Sequence, residues 1–280
     1  MGVSTQTTTG TLQTEGGPLY YEVAGEGHPL VFMHAGVADN TMWDEQWDEF
    51  AKCYRVIRYD TRGFGKSPVA KDHPFSNRHD LYELLKHLDV EKAYVVGLSR
   101  SGQIALDFTL EHPEMVDALV WVAGGVSGYD GDMPSDAEMA IFNEMEAIWE
   151  KKDWETLSEM EADVWVNGPG QPKDRADAQV HKRVHQMILN NYTNHPDEGK
   201  PIQLDPPAAG RLQEVKIPTL IIVGDLDTSS TQASANYLAS SVEGAKRIVF
   251  EGVAHMVNME QPERFNRVVL DFLSDVDSKQ

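Results

Sequence analysis

Cysteine is nearly missing from these 280 residues: Cys53 stands alone. A single thiol excludes an internal disulfide and matches the usage of a reducing compartment. Basic residues are few as well, 24 Lys and Arg against 45 Asp and Glu, for a formal charge of −21. Nucleic-acid binding needs basic surface to release counterions, so this balance speaks against that function class. The charge favours solubility and repels anionic partners at long range. No apolar run approaches the ~18–20 residues of a membrane span. The start, Met1-Gly2-Val3-Ser4-Thr5-Gln6, has neither the basic nor the apolar region of a secretory leader, and Gln6 stands where myristoylation needs Ser or Thr. The expectation is a cytoplasmic protein with no membrane and no nucleic-acid partner.

An apolar fraction of 41% allows a sizeable core without disulfides or metals. Strand-like runs cover 11–14, 19–24, 29–34, 53–59, 93–98, 115–123, 218–223 and 246–250, and Gly16-Gly17 reads as a hairpin turn. Helical spacing marks 40–51, 77–88, 100–111 and 262–273. Strands alternating with helices of ~10–15 residues mean βαβ units and a mostly parallel sheet flanked by helices, an α/β fold. Between about Gly128 and Gly210 the alternation stops. Ser135 and Glu138 make a capping box ahead of a long helical pattern, and residues 130–165 hold twelve Asp/Glu against two Lys. That stretch reads as a helical insertion with a solvated acidic face; its Trp149, Trp154 and Trp165 read as packing residues that also cover a substrate pocket.

The strongest chemical signal is Gly97-Leu98-Ser99-Arg100-Ser101-Gly102, where a buried strand meets a helix. A nucleophile on such a junction occupies a strained turn and needs small residues two before and two after it. Gly97 and Ser101 fill those places around Ser99. Ser101 itself is excluded as nucleophile, because Gln103 would crowd its own second position. A serine needs a base, and the base an orienting acid. Val223-Gly224-Asp225-Leu226-Asp227-Thr228 places two candidate carboxylates after one strand; Phe250-Glu251-Gly252-Val253-Ala254-His255 places a histidine after the next. Both loops fall at carboxyl ends of parallel strands, where open α/β sheets build their sites. The residue after the nucleophile, Arg100, supplies one backbone N–H of an oxyanion hole.

With these residues on the page, the chain resembles the α/β-hydrolase superfamily over nearly its full length. The marks are His34-Ala35-Gly36 with Trp43 nine residues on, Asp60-Thr61-Arg62-Gly63-Phe64-Gly65-Lys66-Ser67, the Ser99 turn, the Gly224–Asp227 loop and His255. The resemblance implies a Ser99–His255–Asp227 triad, Asp227 being preferred to Asp225 by the Gly-x-x-Asp pattern. It implies the second oxyanion donor at Gly36, with Ala35 where glycine is usual. It also implies a core of residues 1–127 and 211–280, with 128–210 as a helical cap inserted after the sixth strand. The expected function is hydrolysis of a carboxylic ester through an acyl-serine intermediate, with a small-molecule ester or lactone as partner, no cofactor and no metal. An enol-lactone hydrolase or a C–C bond hydrolase of aromatic catabolism is the alternative. A hydrolase-fold ligand-binding or receptor protein with little turnover is the alternative from another class.

Other motifs read as structural. Gly65-Lys66-Ser67 lacks the upstream glycine of a phosphate loop, since Asp60 stands there. Asp60 and Arg62 read as a turn. His181 and His185, four apart on a helix, have no evident third metal ligand and read as helix surface. Asn191-Tyr192-Thr193 matches a glycosylation site without a secretory context.

Overall fold

The computed structural model describes residues 6–70, 73–131, 134–195 and 199–279; residues 1–5, on which most of the leader reading falls, lie outside the described residues. Its strands are β1 (Thr8–Thr14), β2 (Gly17–Ala24), β3 (Pro29–Met33), β4 (Arg55–Tyr59), β5 (Pro74–Phe75), β6 (Ala93–Leu98), β7 (Val116–Val122), β8 (Lys200–Pro201), β9 (Thr219–Gly224) and β10 (Lys246–Phe250). Its helices are α1 (Asp44–Phe50), α2 (Asn77–His87), α3 (Arg100–Glu111), α4 (Asp136–Lys151), α5 (Trp154–Ala162), α6 (Ala178–Asn194), α7 (Ser229–Ser241), α8 (Val257–Glu260) and α9 (Pro262–Asp277). Eight strands form one sheet in the order β1-β2-β4-β3-β6-β7-β9-β10. The β1–β2 and β2–β4 pairs are antiparallel, and every pair from β4–β3 to β9–β10 is parallel. This is the mostly parallel, helix-flanked sheet expected of an α/β-hydrolase fold.

The inner strands β3, β6, β7 and β9 are almost wholly apolar and buried because both their faces are covered, while the edge strands β1 and β10 carry polar, exposed residues. The alternation of side chains sends Leu30, Phe32, Val96 and Val120 to one face, against Trp43, Phe50, Phe265 and Leu273 from α1, α9 and the turn before α1. Their neighbours Val31, Met33, Val95 and Leu119 go to the other, against Leu81 and Leu84 of α2, Phe108 of α3 and Leu238 of α7. The chain order reverses between β3 and β6, whose carboxyl ends open the crevice where open α/β sheets bind ligands.

The expected helix over 40–51 divides: a 3₁₀ turn, Asn40–Trp43, is capped by Asp39 and leads into α1. The hairpin turn falls at Glu15-Gly16, with Gly17 already pairing with Thr14. The sequence reading gave no helix over 229–241, where α7 stands. The segment is Ser- and Ala-rich, and Thr228 caps it by accepting from Thr231 N–H. Helices α4 to α6 fill the stretch between β7 and β9. The predicted Ser135–Glu138 capping box is present. Both ends of this stretch are tied at Ser127, whose hydroxyl accepts from Ala208 N–H at 2.9 Å and whose carbonyl accepts from Ala209 N–H at 2.9 Å. Among the described residues no helix is long and apolar enough to cross a membrane.

Candidate active site

Ser99 lies between β6 and α3 with φ 58° and ψ −123°, a positive φ that a side-chain-bearing residue adopts only under strain. The turn closes because its neighbours are small. A Cβ on Gly97 would sit 2.1 Å from the Ser101 carbonyl oxygen, and one on Gly102 would meet the Gly124 backbone at 3.1 Å. The Ser99 carbonyl accepts from Gly102 N–H at 2.8 Å, so the strained turn is hydrogen-bonded into the helix start.

His255 and Asp227 are brought together at the ends of β10 and β9. The His255 Nδ1 lies 2.8 Å from Asp227 Oδ2 and 3.0 Å from Oδ1, both residues being buried. Asp227 Oδ1 also accepts from Thr228 N–H at 2.7 Å. Asp225 is exposed and accepts from Gly252 N–H at 2.7 Å, so it braces the loop that carries His255 and does not touch the ring. Of the two carboxylates, the fold gives Asp227 to the histidine. Ser99 and His255 line one cavity of ≈ 340 Å³ with Gln103, Thr228, Ser230 and Ser234. The Ser99 hydroxyl makes no hydrogen bond to His255 among the described residues.

Gly36 and Arg100 are neighbours: a Cβ on Gly36 would come within 3.2 Å of the Arg100 Cδ. Both line a second cavity of ≈ 200 Å³ with Val37, Phe64, Ile188 and Tyr192. The Gly36 loop is held by His34. Thr61 N–H donates to His34 Nε2 at 2.9 Å, which leaves the proton on Nδ1 to donate to the Ala35 carbonyl at 2.7 Å. Complete burial holds the His34 pKa below its ordinary value and keeps the ring neutral. The Arg100 guanidinium donates to Thr61 Oγ1 at 2.9 Å and to Asn77 Oδ1 at 3.3 Å, and lies over the Phe64 ring.

Asp60 and Arg62 form the structural turn expected of them. Asp60 accepts from Asn40 N–H at 2.8 Å and Lys66 N–H at 2.9 Å, while Arg62 clasps Asp80 through Nε and Nη2 at 2.7 and 2.8 Å.

Three residues between β7 and β9 reach the site or the loops that carry it, and only for Trp165 does the sequence reading put packing over a pocket. Trp165, in a π-helical turn over Asp163–Asn167, lays its ring 4.8 Å from that of His255, and its carbonyl accepts from His255 N–H at 3.2 Å. Arg175 donates to the Gly252 carbonyl at 2.6 Å and pairs with Glu260, which accepts from Ala254 N–H. Glu138 accepts from Ser229 N–H at 2.7 Å, two residues past Asp227. The capping box announced Glu138, but nothing in the sequence announced its second partner. His181 and His185 face carboxylates of α5 and the turn after it, partners on another element that the histidine spacing does not show.

Comparisons with known proteins agree on the family. A family model described as alpha/beta hydrolase fold matches residues 28–262. A curated relative from Paraburkholderia xenovorans (strain LB400), named 2-hydroxy-6-oxononadienedioate/2-hydroxy-6-oxononatrienedioate hydrolase, is 29% identical over 276 residues, covering 91% of this chain and 90% of that protein. Among solved structures, a thermophilic esterase from Thermogutta terrifontis has a TM-score of 0.77 at 23% identity, over 96% of this chain and 99% of its own. The enol-lactonase from Burkholderia xenovorans LB400 has a TM-score of 0.74 at 22% identity, over 95% of this chain and 100% of its own.

Proposed function

The chain belongs to the alpha/beta hydrolase family, and from that premise we propose that it is a serine hydrolase cleaving carboxylic esters through an acyl-Ser99 intermediate. The observation that carries this reading is the buried His255–Asp227 pair, whose histidine lines one cavity with the strained Ser99. Asp227 holds the imidazole by its Nδ1–H, so the Nε2 lone pair is the base. Ser99 Oγ attacks the carbonyl carbon as its proton passes to His255. Negative charge gathers on the carbonyl oxygen, and the backbone N–H groups of Gly36 and Arg100 stabilise it, each on the order of 3 kcal/mol. His255 returns the proton to the departing alcohol, and water then releases the acid by the same route. Residues 128–210 act as the cap over a core of 1–127 and 211–280.

The two cavities divide the substrate. The leaving group takes its proton from His255, so it lies in the cavity that His255 lines, among Gln103, Thr228, Ser230 and Ser234. The acyl group then lies on the Gly36 side, among Val37, Phe64, Ile188 and Tyr192. A cavity of about 150 Å³ holds a benzene molecule. The ≈ 200 Å³ here suits a single ring or a short alkyl chain.

A second reading is hydrolysis of a C–C bond beside a ketone, with the same serine and histidine. It is favoured by the curated relatives at 28–29% identity, which are named as hydrolases of 2-hydroxy-6-oxo dienedioates and trienedioates. The experiment is a panel of p-nitrophenyl esters of rising acyl length, with lactones, amides and a 2-hydroxy-6-oxo-dienoate alongside. Turnover of short and aromatic acyl esters that vanishes in Ser99→Ala supports the ester reading. Turnover of the dienoate alone replaces it with the C–C reading. No turnover of any substrate leaves a binding or receptor role and overturns both.

A further inference from the structure

Two helices of the insertion turn titratable side chains toward one another away from the Ser99 cavity. On one side stand Glu155 and Glu159 of α5 and, one turn further on, Asp163. On the other stand His181 and His185 of α6. Each set repeats at four residues, so its members share one helix face. The candidate ligand atoms of Glu159, Asp163 and His181 all lie within 4.8 Å of one another. His181 Nε2 is 3.1 Å from Asp163 Oδ1. His185 Nε2 is 3.8 Å from Glu159 Oε2 and 3.8 Å from Glu155 Oε1. That nitrogen is buried and makes no hydrogen bond among the described residues.

We propose that Glu159, Asp163, His181 and His185 form a binding site for a divalent transition-metal ion, zinc by preference, which clasps α5 to α6. Zinc takes four nitrogen and oxygen ligands at ~2.0–2.2 Å, which puts neighbouring ligand atoms ~3.3 Å apart in a tetrahedron. The 3.1 Å between His181 and Asp163 and the 3.8 Å between His185 and Glu159 lie on either side of that value; His185, outside the group of three, joins the shell by turning its ring toward Glu159. A separation of 3.8 Å is too long for a hydrogen bond. Paired imidazoles select zinc over magnesium or calcium, which prefer all-oxygen shells. The metal takes the place of the hydrogen bond that His181 Nε2 makes with Asp163. Lys173 is the built-in competitor: its ammonium pairs with Asp163 Oδ2 at 2.6 Å, but its side chain is 82% exposed and can turn away. The site has a consequence for the pocket, because α6 also carries Ile188, Asn191 and Tyr192, which line the cavity beside Gly36.

The test uses the full chain, free of any histidine tag and stripped with a chelator, titrated calorimetrically with zinc alone and followed by visible absorption with cobalt. The expected result is one zinc per chain with Kd on the order of 1 µM, and the intense visible band of four-coordinate cobalt. His181→Ala with His185→Ala should weaken zinc by about 100-fold or more, and Asp163→Asn, which keeps shape, by about tenfold. Lys173→Met should tighten it several-fold, a gain that a non-specific acidic surface would not give. The proposal is overturned by the absence of saturable 1:1 binding, or by binding that survives the double histidine variant with its circular dichroism unchanged. Binding is read without turnover, so a failure here is distinct from a failure of the serine-hydrolase reading.

Discussion

Removing the Glu138 carboxylate should loosen the junction of α4 with α7. Glu138 Oε2 accepts from Ser135 N–H at 2.8 Å, Ser135 Oγ at 2.7 Å and Ser229 Oγ at 2.6 Å, while Oε1 accepts from Ser229 N–H at 2.7 Å. Burial alone would raise its pKa, but the hydrogen bonds from Ser229 and Ser135 outweigh that and hold it at about 2, against an ordinary 4.5. Glu138→Ala strands two backbone N–H groups and two hydroxyls. Each charge-assisted bond contributes about 1.5–3 kcal/mol, but a shared carboxylate is not additive and water reaches part of the gap. The expected loss is roughly 2–3 kcal/mol, more than a helix cap alone at about 1. At about 2–4 °C per kcal/mol, Tm should fall by roughly 5–10 °C. The sign with pH is fixed by the depressed pKa. The contribution is complete above about 4.5 and is lost as pH falls toward 2. Urea unfolding of wild type and variant, read by circular dichroism at about pH 7 and about pH 3, measures the gap. A gap below about 0.5 kcal/mol at neutral pH, or one that stays constant down to pH 3, would refute the reasoning.

Three further outcomes follow from the geometry. His255→Ala should cut kcat by on the order of 10³-fold or more without loss of fold, since on the proposed reading Ser99, His255 and Asp227 work as a unit; near-native ester turnover would remove the base. Asp227→Asn should be far more damaging to kcat than Asp225→Asn, because only Asp227 meets the imidazole; the reverse order in a kinetic comparison would reassign the acid. Gly97→Ala places a methyl 2.1 Å from the Ser101 carbonyl, so it should open the Ser99 turn and abolish turnover; full activity in a well-folded variant would contradict the close approach.

The sheet was legible because its inner strands are apolar on both faces. Runs such as Ala93–Leu98 and Thr219–Gly224 are wholly buried, and burial of that kind leaves a continuous hydrophobic record. The Ser99 turn was legible because its constraint acts on neighbours one can read, Gly97 above all. Helix α7 was not. It buries Ala233, Ala235 and Leu238 but no large periodic stripe, and its start is fixed by Thr228 and by Glu138 from 91 residues away. The contacts of Trp165 and Arg175 were hidden for the same reason: their partners, His255, Gly252 and Glu260, lie far along the chain, and local pattern carries no record of such contacts. The carboxylates facing His181 and His185 come from another helix, so the histidine spacing alone looked empty.

The central claim is that Ser99 carries the acyl group. The direct measurement is acid-quench mass spectrometry of the protein during turnover of a p-nitrophenyl ester, followed by peptide mapping. One acyl group on the peptide containing Ser99, arriving with a burst of p-nitrophenol and absent in Ser99→Ala, is the result the account predicts. Turnover that persists in Ser99→Ala, or an acyl group on another residue, would contradict it.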